Sequence, residues 1–193
     1  MIACAFPPAA RLLVVRHGAT APNLAGLRCG GDVDPPLAPE GRAQARHLGL
    51  LLASCGEPAE LIITSDLRRT RETAELLRQA LGVMEVHVVA GFRERRLGEW
   101  NLRPIVDNEA QMAAGHTPPG GESRAEFAAR VTAALRHVAP LLERRALLVA
   151  SKGVARVLRE RAGIATAPAL GNGEGILLDL PLADLFVPQA SPA

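Results

Sequence analysis

The chain has 193 residues, a length that fits one compact domain over residues 1–193. Hydrophobic residues make up 48% and charged residues 22% of the chain, a globular composition that excludes a disordered protein. The net charge of +2 and the aromatic content of 3% argue against a nucleic-acid partner, and no apolar run approaches the roughly 20 residues of a membrane span.

The cysteines and the N-terminal segment favour a cytoplasmic location. Cys4, Cys29 and Cys55 are odd in number and form no Cys-x-x-Cys motif. We therefore expect reduced thiols rather than a disulfide framework or a zinc site. The first ten residues also lack the basic segment that a signal peptide needs.

The first half of the chain alternates short apolar runs with amphipathic segments. Three strands are predicted here, at residues 11–16, 60–64 and 85–89. Residues 18–36 are rich in Gly, Pro, Asn and Asp, which predicts a loop. A helix is predicted to begin at Pro39, because proline suits the first helical turn. A second helix follows the strand at 60–64 and is predicted to end at Gly82.

The second half continues the alternation after an irregular stretch at residues 91–119, which includes one short predicted helix at 108–114. Ser123 with Glu126 three residues later forms a capping box, so a helix is predicted to begin there. Pro140 should bend or fray the end of this helix. The last predicted elements are a strand at 146–150, a helix near 154–162 and a strand at 175–180.

Strands that alternate with helices predict an open, mostly parallel α/β sheet with helices on both faces. Ligands of such sheets bind beyond the carboxyl ends of the strands. The loops that follow the first four strands carry Arg16, His17, Asn23, Arg69, Glu94 and Lys152. Each of these residues alone is common on a protein surface. Together, arginine forks and helix N-termini match phosphate geometry, so we predict a site for phosphate or a phosphate ester.

The segment Leu13–Thr20, LVVRHGAT, resembles the signature of the histidine phosphatase superfamily, also called the phosphoglycerate mutase-like family. Further segments resemble that family in the same order: Asn23, Gly31–Leu37 with PEGRAQA after it, Ser65–Ala74, Phe92–Trp100 and Pro119–Ser123. The likeness covers roughly residues 12–158 and implies the phosphoglycerate mutase-like α/β fold.

The resemblance also implies roles for individual residues. The family's Arg-His-Gly histidine attacks phosphorus and becomes a phosphohistidine, which assigns His17 as the nucleophile. Arg16 and Arg69 match the residues that bind phosphate oxygens, and Asn23 matches a further donor. Glu94 matches the carboxylate that protonates the leaving oxygen. The segment beside the substrate mouth corresponds to Gly121, Glu122 and Ser123.

Glu94 and Gly120 are only 26 residues apart, and this spacing favours the short form of the family. Mutases of the family carry longer insertions here, so the chain is more similar to the small phosphatases, including those acting on α-ribazole phosphate or sugar phosphates. The expected partner is a small phosphorylated substrate or inorganic phosphate. The resemblance implies no metal or organic cofactor, and it is compatible with a homodimer.

The chain departs from the family after the fourth strand, where Ser-His-Gly is replaced by Ser151-Lys152-Gly153. Lys152 is the only lysine among 22 basic residues. It either takes over as the donor to the transferring phosphoryl group, or the site still binds phosphate but has lost efficient turnover, since loss of one such donor typically costs about 10²–10³ in rate. A third hypothesis is a scaffold or oligomer component with a vestigial site. The retained site residues argue against it: His17, Arg16, Arg69 and Glu94.

Overall fold

The computed structural model describes residues 10–56, 59–166 and 168–181. The expectations for the N-terminal segment before residue 10 and for Cys4 fall outside these ranges. The described residues form one five-stranded sheet. Its strands are β1 (Ala10–Arg16), β2 (Leu61–Thr64), β3 (Glu85–Val88), β4 (Ala146–Ala150) and β5 (Gly175–Leu180).

The sheet is open and mostly parallel, as predicted. Its strand order is β3-β2-β4-β1-β5, with parallel pairing throughout except at β5, which runs antiparallel to β1. The carboxyl ends of β1, β2, β3 and β4 therefore lie at the same end of the sheet. This arrangement brings the loops that follow them to one edge.

Helices cover both faces of the sheet. Those that pack on it are α2 (Pro39–Ser54) and α3 (Arg68–Leu81) on one face and α5 (Arg124–Val138) and α6 (Lys152–Arg161) on the other. The short helices α1 (Ala21–Leu24) and α4 (Glu109–Ala113) contain no buried residue. Alternate residues of β1 face opposite ways, so Leu12 and Val14 pack in the core beneath α5 and α6, whereas Val15 packs in the core beneath α2 and α3. The predicted α/β architecture with helices on both faces of the sheet is thus confirmed.

Most element boundaries agree with the sequence patterns to within a residue or two. Gly82 ends α3 in the left-handed conformation, and the Ser123–Glu126 capping box starts α5. Pro140 lies in the 3-10 turn that follows α5. Two differences matter for the site: α1 lies inside a predicted loop, and α6 begins at Lys152 rather than near residue 154.

The loop after β1 is held against α2 by direct backbone contact. A Cβ atom built on Gly18 would lie 2.1 Å from the carbonyl oxygen of Gly41, and one built on Gly41 would lie 2.0 Å from the carbonyl oxygen of Ala19. Both distances are far below van der Waals contact. Glycine is therefore required on both sides of this contact.

Gly41→Ala should reverse the usual effect of this substitution inside a helix. Alanine normally stabilises a helix by about 1 kcal/mol relative to glycine, but here its Cβ must displace the loop that carries His17. We expect the free energy of unfolding to fall by about 1–3 kcal/mol, as for an overpacked site, in urea titrations. Leu50→Ala, at a position of α2 that is 68% exposed, is the control and should change stability by less than about 0.5 kcal/mol. A Gly41→Ala protein as stable as the parent would contradict this account.

Candidate active site

His17 is buried at the carboxyl end of β1, with 4% of its surface exposed. Its main-chain N–H donates to the carbonyl oxygen of Ala150 at the end of β4, at 2.9 Å, and its ring Nδ1 lies 2.8 Å from the carbonyl oxygen of Gly18. A carbonyl oxygen only accepts hydrogen bonds, so Nδ1 must carry the proton. The other ring nitrogen, Nε2, therefore keeps its lone pair and can act as a nucleophile.

The surroundings of His17 keep its imidazole neutral. Burial lowers the pKa of His17 to about 3, and the positive charges of Arg69 and Arg16 act in the same direction. The hydrogen bond to Gly18 opposes these effects without reversing them. A neutral ring is the nucleophilic form, so His17 is ready to react at any pH near neutrality.

Two arginines next to His17 have buried N–H donors that lack an acceptor. Arg69 is fully buried and donates from Nη1 to the carbonyl oxygen of Val33 at 2.9 Å and from Nη2 to that of Gly30 at 3.1 Å. Arg16 donates from Nη1 to the carbonyl oxygen of Leu170 at 2.8 Å. Among the described residues, neither guanidinium has a partner for its buried Nε. Buried cationic donors without acceptors are costly, and an oxyanion would satisfy both.

Glu94 faces the start of α6. Its Oε2 accepts a hydrogen bond from the N–H of Gly153 at 2.8 Å, and its Oε1 accepts one from the N–H of Arg95 at 2.7 Å. The main chain of Glu94 also lies against Gly31, where a Cβ atom would come within 2.1 Å of its carbonyl oxygen. The half-buried carboxylate is thus fixed at both oxygens, at the same end of the sheet as His17.

The structure places Lys152 at the first position of α6 with its side chain exposed. Within the part of the chain that the structure describes, its ammonium group makes no hydrogen bond or ion pair. The residues on both sides of Lys152 face the protein instead. The N–H of Gly153 donates to Glu94, and the buried Oγ of Ser151 has no partner among the described residues. The main chain here belongs to the candidate site, whereas the lysine side chain extends into solvent.

Asn23 has a second asparagine beside it that the sequence patterns did not indicate. The Oδ1 of Asn23 accepts from the N–H of Thr20 at 3.2 Å, which closes the capping box of α1. Asn172 donates from Nδ2 to the carbonyl oxygen of His17 at 2.9 Å and lies 3.4 Å from Oδ1 of Asn23. Asn172 lies in a Gly-Asn-Gly turn before β5, outside the four loops that the fold class singles out.

The three residues predicted beside the substrate mouth make contacts within the protein. Glu122 is buried, and its two oxygens accept hydrogen bonds from Arg130 at 2.9 and 2.7 Å. Burial alone would raise the pKa of Glu122, but the hydrogen bonds and charge of Arg130 outweigh it and hold the pKa below its usual value. Ser123 caps α5 by a reciprocal exchange with Glu126, and Gly121 lies in the turn before it. Their place at a substrate mouth stays a prediction.

Asp32 is a further residue that the sequence patterns did not single out. Its carboxylate accepts hydrogen bonds from the N–H groups of Leu97 at 3.1 Å and Gly98 at 2.7 Å. Close by, the N–H of Gly30 donates to Oδ1 of Asn101 at 2.8 Å. These bonds fasten the loop that supports Arg69 to the loop that carries Glu94.

A separate cavity of about 890 Å³ lies beside α3 and the edge strand β3. Most of its charges pair with one another: Arg42 and Arg68 both contact Glu72, and Arg78 contacts Glu75. This mutual pairing distinguishes the cavity from the surroundings of His17, where the buried cations lack acidic partners at hydrogen-bond distance.

Over residues 10–56, 59–166 and 168–181, no helix combines the length and the apolar character that crossing a bilayer requires. In the same ranges, no group of three or more His, Cys, Asp and Glu side chains is arranged to hold a metal ion. Cys29 and Cys55 are free thiols.

Comparison with known protein families places these residues in a wider context. The model of the histidine phosphatase superfamily (branch 1) matches residues 12–171. Glucosyl-3-phosphoglycerate phosphatase of Mycobacterium tuberculosis is 38% identical over 131 residues, which cover 63% of this chain but only 57% of that protein. Adenosylcobalamin/alpha-ribazole phosphatase of Salmonella typhimurium is 31% identical over 170 residues, or 82% of this chain and 81% of that enzyme. The probable phosphoglycerate mutase GpmB of Salmonella paratyphi C is 36% identical over 155 residues, or 75% and 70%.

Solved structures show the same fold. Mycobacterial hydrolase 1 superimposes with a TM-score of 0.76 and 29% identity, covering 89% of this chain and 92% of the other. The mycobacterial glucosyl-3-phosphoglycerate phosphatase in complex with VO3 superimposes with a TM-score of 0.74 and 30% identity, covering 88% and 90%. The similarity therefore extends over nearly the full architecture.

The low pKa of His17 predicts a specific loss of stability in acid. The unfolded chain binds a proton at His17 below about pH 6.5, whereas the folded protein resists protonation until about pH 3, so the stability contributed by the neutral ring is lost as the pH falls through this window. Between pH 7 and pH 5, the parent should lose about 2 kcal/mol more unfolding free energy than His17→Gln, which cannot titrate. Urea titrations at both pH values measure the difference. Equal losses in the two proteins would contradict a buried, neutral His17.

Proposed function

Because the chain belongs to the histidine phosphatase superfamily (branch 1), we propose that it hydrolyses phosphate monoesters through a phosphohistidine intermediate on His17. The observation that carries the proposal is the pairing of a buried neutral imidazole with two guanidiniums, of Arg16 and Arg69, whose buried Nε atoms lack partners among the described residues. Such a group of donors and nucleophile fits a tetrahedral oxyanion next to a nitrogen lone pair.

The reaction needs two transfers. In the first, Nε2 of His17 attacks phosphorus, the P–N bond forms, the P–O bond to the alcohol breaks, and Glu94 gives its proton to the leaving oxygen. In the second, water attacks the phosphohistidine while Glu94 takes up one of its protons, the P–N bond breaks, and inorganic phosphate leaves. Together, the two steps return His17 and Glu94 to their starting forms.

The remaining residues bind and orient the phosphoryl group. Arg16 and Arg69 would hold its non-bridging oxygens through the donors that are unpartnered in the structure, and Asn23 would add a further donor. The Gly121–Ser123 segment would lie beside the alcohol part of the substrate. The named activities of relatives, on glucosyl-3-phosphoglycerate and on α-ribazole phosphate, favour a small phosphorylated metabolite as the substrate class.

Lys152 takes the donor role of the missing second histidine in this proposal. The ammonium group is a compact charge with three donors, and its four-carbon stem allows the exposed side chain to fold over a bound phosphoryl group. The alternative is a family member that binds a phosphorylated ligand but turns it over weakly or not at all. The observation that favours the alternative is the same exposure, since the ammonium group makes no described contact with the site.

Three broader features complete the proposal. Residues 1–193 would form a single domain, consistent with the one sheet of the described strands. The free thiols of Cys29 and Cys55 suit the reducing cytoplasm. A homodimer could form at the edge strand β3, where Val86 and Val88 are exposed, as is Met84 just before the strand. Light scattering tests the dimer, and cell fractionation tests the location.

His17→Asn should abolish phosphate release and remove the covalent intermediate. Asparagine retains the polarity and approximate size of the ring but lacks a nucleophilic nitrogen. The measurement is a rapid acid-free quench with a ³²P-labelled monoester, followed by a test for a base-stable, acid-labile phosphoprotein. Arg68→Gln serves as the control, because Arg68 lies outside the site and contacts Glu72. Full labelling of His17→Asn would disprove the proposed nucleophile.

The Lys152→His variant distinguishes two hypotheses: Lys152 as an adapted donor, and a chain that binds its ligand but turns it over weakly or not at all. If Lys152 is an adapted donor, the parent hydrolyses monoesters, and both Lys152→His and Lys152→Ala lower kcat, the alanine variant by about 10²–10³. Phosphate release across a panel of monoesters measures this. If the parent is inactive and Lys152→His creates activity, the chain is a binding protein in which the histidine restores catalysis. The proposed hydrolysis is then wrong.

A further inference from the structure

We propose that Gly153 is a positioning residue for the proton donor: its lack of a side chain allows the N-terminus of α6 to hold the carboxylate of Glu94 in place. The inference rests on the proposed function, because it takes Glu94 as the group that protonates the leaving oxygen. It goes beyond that function by assigning the control of this step to a residue that has no chemistry of its own.

Backbone conformation does not explain a glycine at this position. Gly153 lies in the first turn of α6, and its φ angle is not among the left-handed ones. Glycine inside a helix costs about 1 kcal/mol relative to alanine, so local stability favours a side chain here. The reason for glycine must therefore be a contact.

That contact is the carboxylate of Glu94. The N–H of Gly153 donates to Oε2 at 2.8 Å, and a Cβ atom on Gly153 would lie 2.1 Å from Oε1 and 2.9 Å from the carboxyl carbon. No real Cβ approaches an oxygen so closely. A side chain at 153 and the observed position of the Glu94 carboxylate exclude each other.

The carboxylate would move, and the fold would remain. The main chain of Glu94 is fixed by its close packing on Gly31 and by the N–H of Gly31, which donates to the carbonyl oxygen of Arg95 at 2.9 Å. The obstructing atoms, by contrast, are the end of a flexible side chain. Gly153→Ala should therefore displace the proton donor while the sheet and the loops keep their positions.

Displacement of a proton donor has a signature in the choice of leaving group. An alkoxide leaves poorly unless it is protonated, whereas p-nitrophenolate leaves as an anion and gains little from an acid. We expect Gly153→Ala to lower kcat/KM for glycerol 3-phosphate by about 10²-fold or more and that for p-nitrophenyl phosphate by less than about 10-fold. The ratio kcat/KM is the quantity to compare, because it covers formation of the phosphohistidine and not its hydrolysis.

Two further variants show whether the loss passes through Glu94. Glu94→Gln should have the same leaving-group dependence, and adding Gly153→Ala to it should cause no further change in the ratio between the two substrates. Gly49→Ala is the matched control, because its Cβ would lie 2.7 Å from the Cβ of Ala80 in the contact between α2 and α3. It introduces a similar steric conflict away from the site and should leave the ratio unchanged.

A crystal structure of Gly153→Ala provides the readout that does not need activity. We expect the Glu94 carboxylate to have left the N–H of residue 153, with α6 in place. A carboxylate at its parent position, or equal losses of kcat/KM on both substrates in a folded protein, would overturn the positioning role. Failure to hydrolyse either substrate in the parent would instead refute the proposed function, and the displacement seen in the crystal would still decide the role of Gly153.

Discussion

The charge of Arg69, fully buried next to a neutral imidazole, is the constraint on which the site depends. A buried cation costs several kcal/mol unless polar groups surround it. Two of its nitrogens are satisfied by main-chain carbonyls, of Gly30 and Val33, so the loop after α1 must adopt the conformation that points these oxygens inward. The third nitrogen has no partner among the described residues, and an incoming oxyanion completes the set. Burial is the main cause of the low pKa of His17, and the charge of Arg69 adds to it. The same cation therefore contributes both to the anion site and to the neutral state of the nucleophile.

The loops converge by main-chain contact, which explains why glycines and not larger residues mark the motifs. Gly18 packs against Gly41, and Gly31 packs against the main-chain carbonyl of Glu94. Gly153 packs against the carboxylate of Glu94. Each contact removes the space that a Cβ would need and fixes the distance between the two segments that it joins. Precise placement of reacting groups therefore comes from main-chain atoms, which have fewer degrees of freedom than side chains.

The sequence predicted the elements well because their patterns are local. The apolar runs of β1 and β4 and the capping box at Ser123 require only a few neighbouring residues to be read. Parallel topology then placed the loops with His17 and Glu94 at one end of the sheet. The residues that were missed act across distance in the chain: Asp32 binds the main chain at residues 97 and 98, and Asn172 binds the carbonyl of His17. No local pattern contains such pairs.

The start of α6 two residues earlier than predicted has a direct consequence for Lys152. As the first helical residue, it stands where the helix dipole is positive, near a site that already holds the charges of Arg16 and Arg69. The carboxylate of Glu94, which accepts a hydrogen bond from the N–H of Gly153, offsets part of this positive potential, and the side chain of Lys152 is exposed to solvent. A dianionic phosphoryl group reverses this potential. On the proposed mechanism, the lysine would therefore enter the site with the substrate, and its attraction would be greatest when the transferring oxygens carry the most charge. A histidine at the same position has a shorter, stiffer side chain and would need no such movement. On this proposal, the substitution would exchange a preorganised donor for one that the substrate itself must recruit.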